Sequence, residues 1–215
     1  MKIMYRIGRA FFGIFLWLGG VRILGRENIP MDEPLIIISN HISYGDPPAM
    51  SWAYPRQITY IAKETFGQNF FTRHIFRAVG TVFLEKESND MAAMRAALKQ
   101  LSQGNSIAIY PEGTRHRDQK LGEFKNGAAY IAARAKVRVL PMALLNTGDL
   151  FRIWRRNIIV NIGEPFPVCR EERVDAQLLQ RNTEEYRQRI SDLFEEARGI
   201  LEKEGRPMCC AAKKN

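Results

Sequence analysis

From Pro30 onward the chain alternates between short apolar runs and amphipathic stretches of helical length, a pattern that restricts it to few folds. An apolar run bounded by turn residues reads as a buried strand, and a helix between successive strands carries the chain back across a sheet. Residues 35–39, 58–62, 81–84, 106–110, 138–145 and 158–162 are predicted strands, and residues 47–53, 66–79, 90–103 and 124–135 are predicted helices between them. Residues 183–204 form a longer predicted helix, with Tyr186, Ile190, Leu193, Phe194, Ala197 and Leu201 on one face as a packing stripe. The expected fold class is α/β: a single domain over residues 30–204, with a largely parallel or mixed central sheet flanked by helices. A chain of 215 residues that is 46% hydrophobic can bury one sizeable core.

Ahead of that domain the pattern is different. Residues 10–21, AFFGIFLWLGGV, are all apolar or glycine, with Lys2, Arg6 and Arg9 before them and Arg22 and Arg26 after. A membrane-spanning helix needs roughly 20 apolar residues, and lengthening this run to include Ile3, Ile7, Ile23 and Leu24 admits three arginines. An interfacial helix whose cationic side chains snorkel to headgroups suits the pattern better than a short transmembrane anchor or an ordinary core helix. Residues 1–29 are therefore expected to be a membrane-associating helical segment. No small-residue cleavage site follows, as a signal peptide would need. Residues 205–215 read as a tail.

The net charge of +9 points to an anionic partner: nucleic acid, anionic lipid or a phosphorylated substrate. Residues 171–204 hold ten acidic and six basic side chains, a net of −4, so a net +13 falls on the N-terminal end and the body. The three cysteines, Cys169, Cys209 and Cys210, are odd in number and lack metal-ligand spacing, which fits a reducing, cytoplasmic setting.

Two strand ends carry the chemistry. Asn40-His41-Ile42-Ser43-Tyr44-Gly45-Asp46-Pro47 follows the apolar run Leu35-Ile36-Ile37-Ile38, which delivers His41 to the rim of a sheet. Histidine accepts a proton near neutral pH, and a nearby carboxylate fixes its tautomer and stabilises the imidazolium. On a continuous helix His41 and Asp46 would lie about 140° apart, so the pair needs a loop that folds Asp46 back, with Gly45 supplying backbone freedom. Asp46 before Pro47 also reads as a helix N-cap. The two roles are compatible, because a carboxylate has two oxygens. The second strand end, Tyr110-Pro111-Glu112-Gly113-Thr114-Arg115, is expected to form an exposed turn, and Arg115 offers a planar fork for two phosphate oxygens. An ordinary turn is the default for that stretch alone; its value lies in the pairing with the first motif.

With both motifs in view, the sequence resembles the glycerolipid acyltransferase family that includes lysophosphatidate acyltransferases. Asn40, His41 and Asp46 match its first block, and Tyr110 through Arg115 its third. Gly80-Thr81-Val82-Phe83-Leu84-Glu85-Lys86 matches the second with lysine where arginine is usual, and Val139-Leu140-Pro141-Met142-Ala143 the fourth. The resemblance implies that His41 is the general base on an acceptor hydroxyl, which attacks a thioester carbonyl in one displacement, with Asp46 orienting the ring. It places the acceptor phosphate against Lys86, Glu112, Gly113, Thr114 and Arg115, with Lys63 and Lys125 as oxyanion or substrate contacts. The donor is acyl-coenzyme A or acyl-carrier protein, and the acceptor a lysophospholipid such as 1-acylglycerol-3-phosphate, acylated at the sn-2 hydroxyl. Membrane lipids are expected partners, on the cytoplasmic face, and no cofactor, metal or nucleic acid is implied.

Glycerol-3-phosphate or another lysolipid is the nearest alternative acceptor, since the same chemistry serves each and Lys86 cannot reproduce a bidentate guanidinium. A nucleic-acid module is disfavoured because no aromatic-basic RNA motif, helix-turn-helix or zinc pattern appears. His41, His74 and His116 lack the pairing of a metal hydrolase, no Gly-x-Ser-x-Gly turn offers a nucleophilic serine, and retention of both His41 and Asp46 argues against an inactive lipid-binding relative.

Overall fold

The computed structural model describes residues 2–63, 74, 80–84, 90–168, 174–206 and 208. Lys86 and all three cysteines lie outside them, as does the helix expected over residues 66–79 except for His74, which is helical. Seven strands form one sheet: β1 (Arg22–Leu24), β2 (Ile36–Ser39), β3 (Ile58–Lys63), β4 (Thr81–Leu84), β5 (Ser106–Ile109), β6 (Val139–Leu145) and β7 (Ile159–Ile162). Their order is β1-β7-β6-β2-β5-β3-β4. Strands β2 to β6 run parallel, while β7 is antiparallel to β6 and carries β1 parallel to itself at the edge. The expected mixed α/β sheet is present.

The described helices are α1 (Lys2–Leu18), α2 (Asp46–Ala53), α3 (Asp90–Ser102), α4 (Gly127–Ala135) and α5 (Ala176–Lys203). Strand alternation divides them between two faces. Ile37, Leu140, Met142 and Val160 pack with Leu16 of α1 and with Met50 and Ala53 of α2. Ile36, Ile38, Ile107 and Val139 pack on the opposite face with Ala128 and Ala132 of α4 and Tyr186 and Ile190 of α5. A buried parallel strand covered on both faces must be apolar at every position, which is why residues 36–38 are three isoleucines. Each such side chain removed from water stabilises the fold by about 1.5–3 kcal/mol.

Three expectations are corrected. The strand Arg22–Leu24 was not foreseen, and its register with Ile159 to Asn161 carries the sheet across the boundary expected at residue 29. Helix α5 begins at Ala176, earlier than residue 183, because the Asp175 carboxylate caps the Leu178 amide at 2.8 Å. Helix α4 begins at Gly127 instead of residue 124, so Phe124 to Asn126 remain in the loop after the second motif. Helix α1 lies against α2 closely enough that a Cβ on Gly13 would sit 2.2 Å from the Trp52 ring.

Candidate active site

Strands β2 and β5 are immediate parallel neighbours, with Ile38 opposite Ile109, so their C-terminal ends bring the two motifs to one edge of the sheet. Just past β2, the buried Asn40 side chain accepts from the Leu144 amide at 2.8 Å and donates to the Leu144 carbonyl at 2.9 Å. That reciprocal pair ties the loop to β6. The backbone of His41 is held from the other side: its amide donates to Glu112 Oε1 at 2.9 Å, and its carbonyl accepts from the His116 amide at 2.7 Å.

The loop does fold Asp46 back onto the ring. His41 Nδ1 lies 2.6 Å from Asp46 Oδ2, which also accepts from the amides of Ile42 at 2.8 Å and Ser43 at 3.0 Å. Asp46 Oδ1 accepts from the hydroxyl of Thr147 and from Ser43 Oγ at 3.4 Å. The N-cap reading fails, because Asp46 is the first residue of α2, Gly45 is the cap position, and no side chain caps the helix. The amides that Asp46 accepts belong to its own loop. Gly45 also differs from expectation: its φ of −78° and ψ of −9° suit any residue, but a Cβ there would lie 2.1 Å from the Thr147 carbonyl oxygen. Space, not backbone freedom, requires glycine.

With donors crowding Asp46, the hydrogen on His41 Nδ1 points to the carboxylate and the lone pair falls on Nε2, which has no protein partner among the described residues. The imidazole lies flat on the Tyr110 ring, with centroids 4.0 Å apart and planes inclined by 13°. Tyr110 in turn donates its hydroxyl to Met50 Sδ at 3.3 Å, and burial pushes its pKa well above the ordinary phenol value. A one-sided hydrogen bond and a stacked face together fix the direction in which Nε2 can accept a proton.

The second motif forms a turn whose tip, Gly113 and Thr114, is exposed, while Pro111 and Glu112 face inward. Glu112 is buried, its carboxylate accepts from His41 N and, at 3.3 Å, from Gly122 N, and His116 Nε2 lies 3.3 Å away. Burial raises its pKa above the usual 4.5, against the lowering effect of those two amides and the neighbouring histidines. Oε1 joins the two loops, and Oε2 holds the Gly122 amide within its own loop. Gly113 takes a φ of +70°, which favours glycine, and a Cβ there would sit 3.1 Å from Lys125 Nζ. Thr114 is exposed. The Arg115 guanidinium covers the Tyr44 ring at 3.8 Å, and its Nη1 is buried with no hydrogen-bond partner among the described residues. Lys63 ends β3, and only its backbone is described; Lys86 lies outside the described residues. Among the described residues no three His, Cys, Asp or Glu side chains are grouped to hold a metal.

Thr147 and Ser43, the hydroxyl donors to Asp46, were not foreseen. Ser43 stood inside the first motif, but nothing in the sequence distinguishes Thr147 from other loop threonines. The stacking role of Tyr110 was likewise not read, although the aromatic residue itself was.

The site can be set beside known proteins. The acyltransferase family model matches residues 20–145, more than half of the chain. The chain is 33% identical over 166 residues to the 1-acyl-sn-glycerol-3-phosphate acyltransferase of Borreliella burgdorferi, covering 75% of this chain and 65% of that protein. With the enzyme of the same name from Bacillus subtilis it shares 27% identity over 196 residues, 88% of this chain and 96% of that one. The match spans only 56% of the probable 1-acyl-sn-glycerol-3-phosphate acyltransferase of Mycoplasma pneumoniae, so the chain covers less than two thirds of several relatives. Among solved structures, the 1-acyl-sn-glycerophosphate (LPA) acyltransferase PlsC of Thermotoga maritima is similar with a TM-score of 0.66 at 25% identity, over 96% of this chain and 80% of that one. On the match of more than half its length, the chain belongs to the acyltransferase family.

Proposed function

We propose that the protein transfers a fatty-acyl group from an acyl thioester to the sn-2 hydroxyl of 1-acylglycerol-3-phosphate, giving phosphatidic acid. The observation that carries this reading is the clamped His41, whose Nδ1 is held by Asp46 at 2.6 Å and whose Nε2 is left available. Nε2 takes the hydroxyl proton as the oxygen attacks the thioester carbonyl; the C–O bond forms, the C–S bond breaks, and the proton passes to the departing thiolate. Asp46 stabilises the transient imidazolium. Such proton transfer contributes about 10²–10⁴-fold, and positioning supplies much of the rest.

The acceptor phosphate is placed against Arg115, whose buried Nη1 lacks a protein partner among the described residues, with Gly113, Thr114 and Lys125 beside it. A buried guanidinium nitrogen left without an acceptor is costly, and a phosphate oxygen would satisfy it. Lys86 and Lys63 remain proposed contacts. The donor, coenzyme A or acyl-carrier protein, is part of the same proposal.

Residues 30–204 are proposed as the acyltransferase unit, to which the edge strand Arg22–Leu24 belongs, and α1 within residues 1–29 as its membrane contact on the cytoplasmic face. No helix among the described residues is long and apolar enough to cross a membrane. Ile3, Ile7, Ile14 and Trp17 of α1 are nevertheless exposed, which supports placement in the interface.

The test incubates purified protein with labelled acyl-coenzyme A or acyl-carrier protein and a panel of 1-acylglycerol-3-phosphate, glycerol-3-phosphate and non-phosphorylated lysolipids, with products identified by mass spectrometry. Phosphatidic acid should dominate, and folded His41→Ala should lose several orders of magnitude of turnover. Near-normal transfer by that variant would overturn the mechanism.

A further inference from the structure

The segment that follows Thr147 leaves two aromatic rings in the open on a firmly held frame. Phe151 is 59% exposed and Trp154 is 74% exposed. Beneath them the buried Asp149 accepts from Arg155 at 3.0 Å, from Arg152 at 3.1 Å and from Asn157 at 3.1 Å. The Arg152 amide also closes a turn onto the Asp149 carbonyl at 2.7 Å. Large apolar side chains fixed in place without cover mark an interaction surface.

That surface is continuous with α1. The Phe151 ring meets Phe15 edge to face at 5.2 Å, and at Gly19 a Cβ would sit 3.6 Å from the Ile153 backbone. Trp17, 71% exposed, lies on the same helix. The charges around it are predominantly positive: no acidic residue occurs in residues 1–25, and residues 149–156 carry three arginines against one acid, the buried Asp149 shared by Arg152 and Arg155. Aromatic rings among guanidinium groups match the interface of an anionic bilayer, where rings settle at headgroup level and cations meet phosphate.

We infer that residues 151–155 form a second membrane-docking element, seating Phe151 and Trp154 in an anionic phospholipid surface beside α1; the inference rests on the interfacial placement of α1 proposed above. Thr147, four residues before Phe151, bonds to Asp46. Docking through this loop therefore sets the His41 rim close to the bilayer that holds the acceptor.

The full chain is pelleted with vesicles of phosphatidylcholine alone and of equimolar phosphatidylcholine and phosphatidylglycerol. Wild type should partition onto the anionic vesicles, and Phe151→Ser/Trp154→Ser should weaken that partition about tenfold or more. Its melting temperature and its transfer activity on detergent-dispersed substrate should stay at wild-type values; if the double variant misfolds, Trp154→Ser alone serves. With Trp17→Phe/Trp52→Phe, leaving Trp154 as the single indole, brominated lipid should quench the fluorescence. Wild type that binds neither vesicle overturns the interfacial reading of α1 and this inference with it. Bound wild type with an unaffected double variant and unquenched Trp154 overturns this inference alone. A loss of dimer in lipid-free sedimentation on going to the double variant would assign the patch to a second copy and overturn it as well.

Discussion

The hydroxyl of Thr147 donates to Oδ1 of Asp46 across 101 residues of sequence, so the carboxylate that holds His41 is itself held by the loop after β6. Thr147→Val removes the donor at nearly constant volume. A hydrogen bond to a charged group is worth about 1.5–3 kcal/mol, so turnover should fall roughly tenfold or more with a smaller loss of melting temperature. Thr147→Ser should restore most of the activity, and equal turnover in Val and Ser variants would dismiss the contact.

Asp46→Asn should act differently from a change at a helix cap. The neighbours of Oδ2 are the His41 ring and two amides and those of Oδ1 are hydroxyls, so an amide nitrogen fits only at Oδ1, with those hydroxyls turned to accept, and every bond to the former carboxylate loses its charge. Stability should fall by about 1–3 kcal/mol and turnover by on the order of 10²–10⁴. Thermal melts and initial rates on the same preparation separate the two effects, and a variant with normal stability would show that the bonds do not depend on that charge.

Stacking on Tyr110 restrains the His41 ring on the face opposite to solvent. Tyr110→Phe keeps the stack, worth about 0.5–1.5 kcal/mol beyond area burial, and should retain near-normal turnover. Tyr110→Leu should lower kcat severalfold with little change in KM. If Phe and Leu variants behave alike, the ring does not position the base.

Glu112 supplies a pH signature. Its raised pKa means that the folded protein holds the proton more tightly than the unfolded chain. The stabilisation is complete below the ordinary value of 4.5 and is lost as the pH rises through the raised value. Glu112→Gln removes that titration, so the wild-type melting temperature should decline relative to the variant across the window above 4.5 and run parallel to it at higher pH. A constant difference across the acid range would contradict the raised pKa.

Arg115 stacks on Tyr44, and its buried Nη1 has no hydrogen-bond partner among the described residues. Arg115→Ala should raise the apparent KM for a phosphorylated acceptor roughly tenfold to hundredfold, and Arg115→Lys should recover only part of the loss, since ammonium lacks the fork. The KM for a non-phosphorylated lysolipid should not move.

The periodicity of the sequence was enough to locate the buried strands and the rim residues, because burial on two faces demands an unbroken apolar run and the next polar residue must then lie at the end of a strand. That logic placed His41, Asp46 and Tyr110 to Arg115, and it recovered six of the seven strands within a residue of their ends. It missed Arg22–Leu24, whose half-buried edge position imposes no such run, and it started α5 late because residues 176–182 are largely polar.

What only the tertiary structure decided is which side chains meet. Neighbour order in the sheet places β6 beside β2 and so brings Thr147 to Asp46, and it sets β5 beside β2 so that Glu112 braces the His41 amide. The pairing of Asp46 with His41 lay within one short motif and was legible, whereas local propensity could only make Gly45 a flexible hinge. The carbonyl that restricts Gly45 and the hydroxyl that holds the second oxygen of Asp46 arrive about a hundred residues later, and a sequence read position by position carries no information about such distant partners.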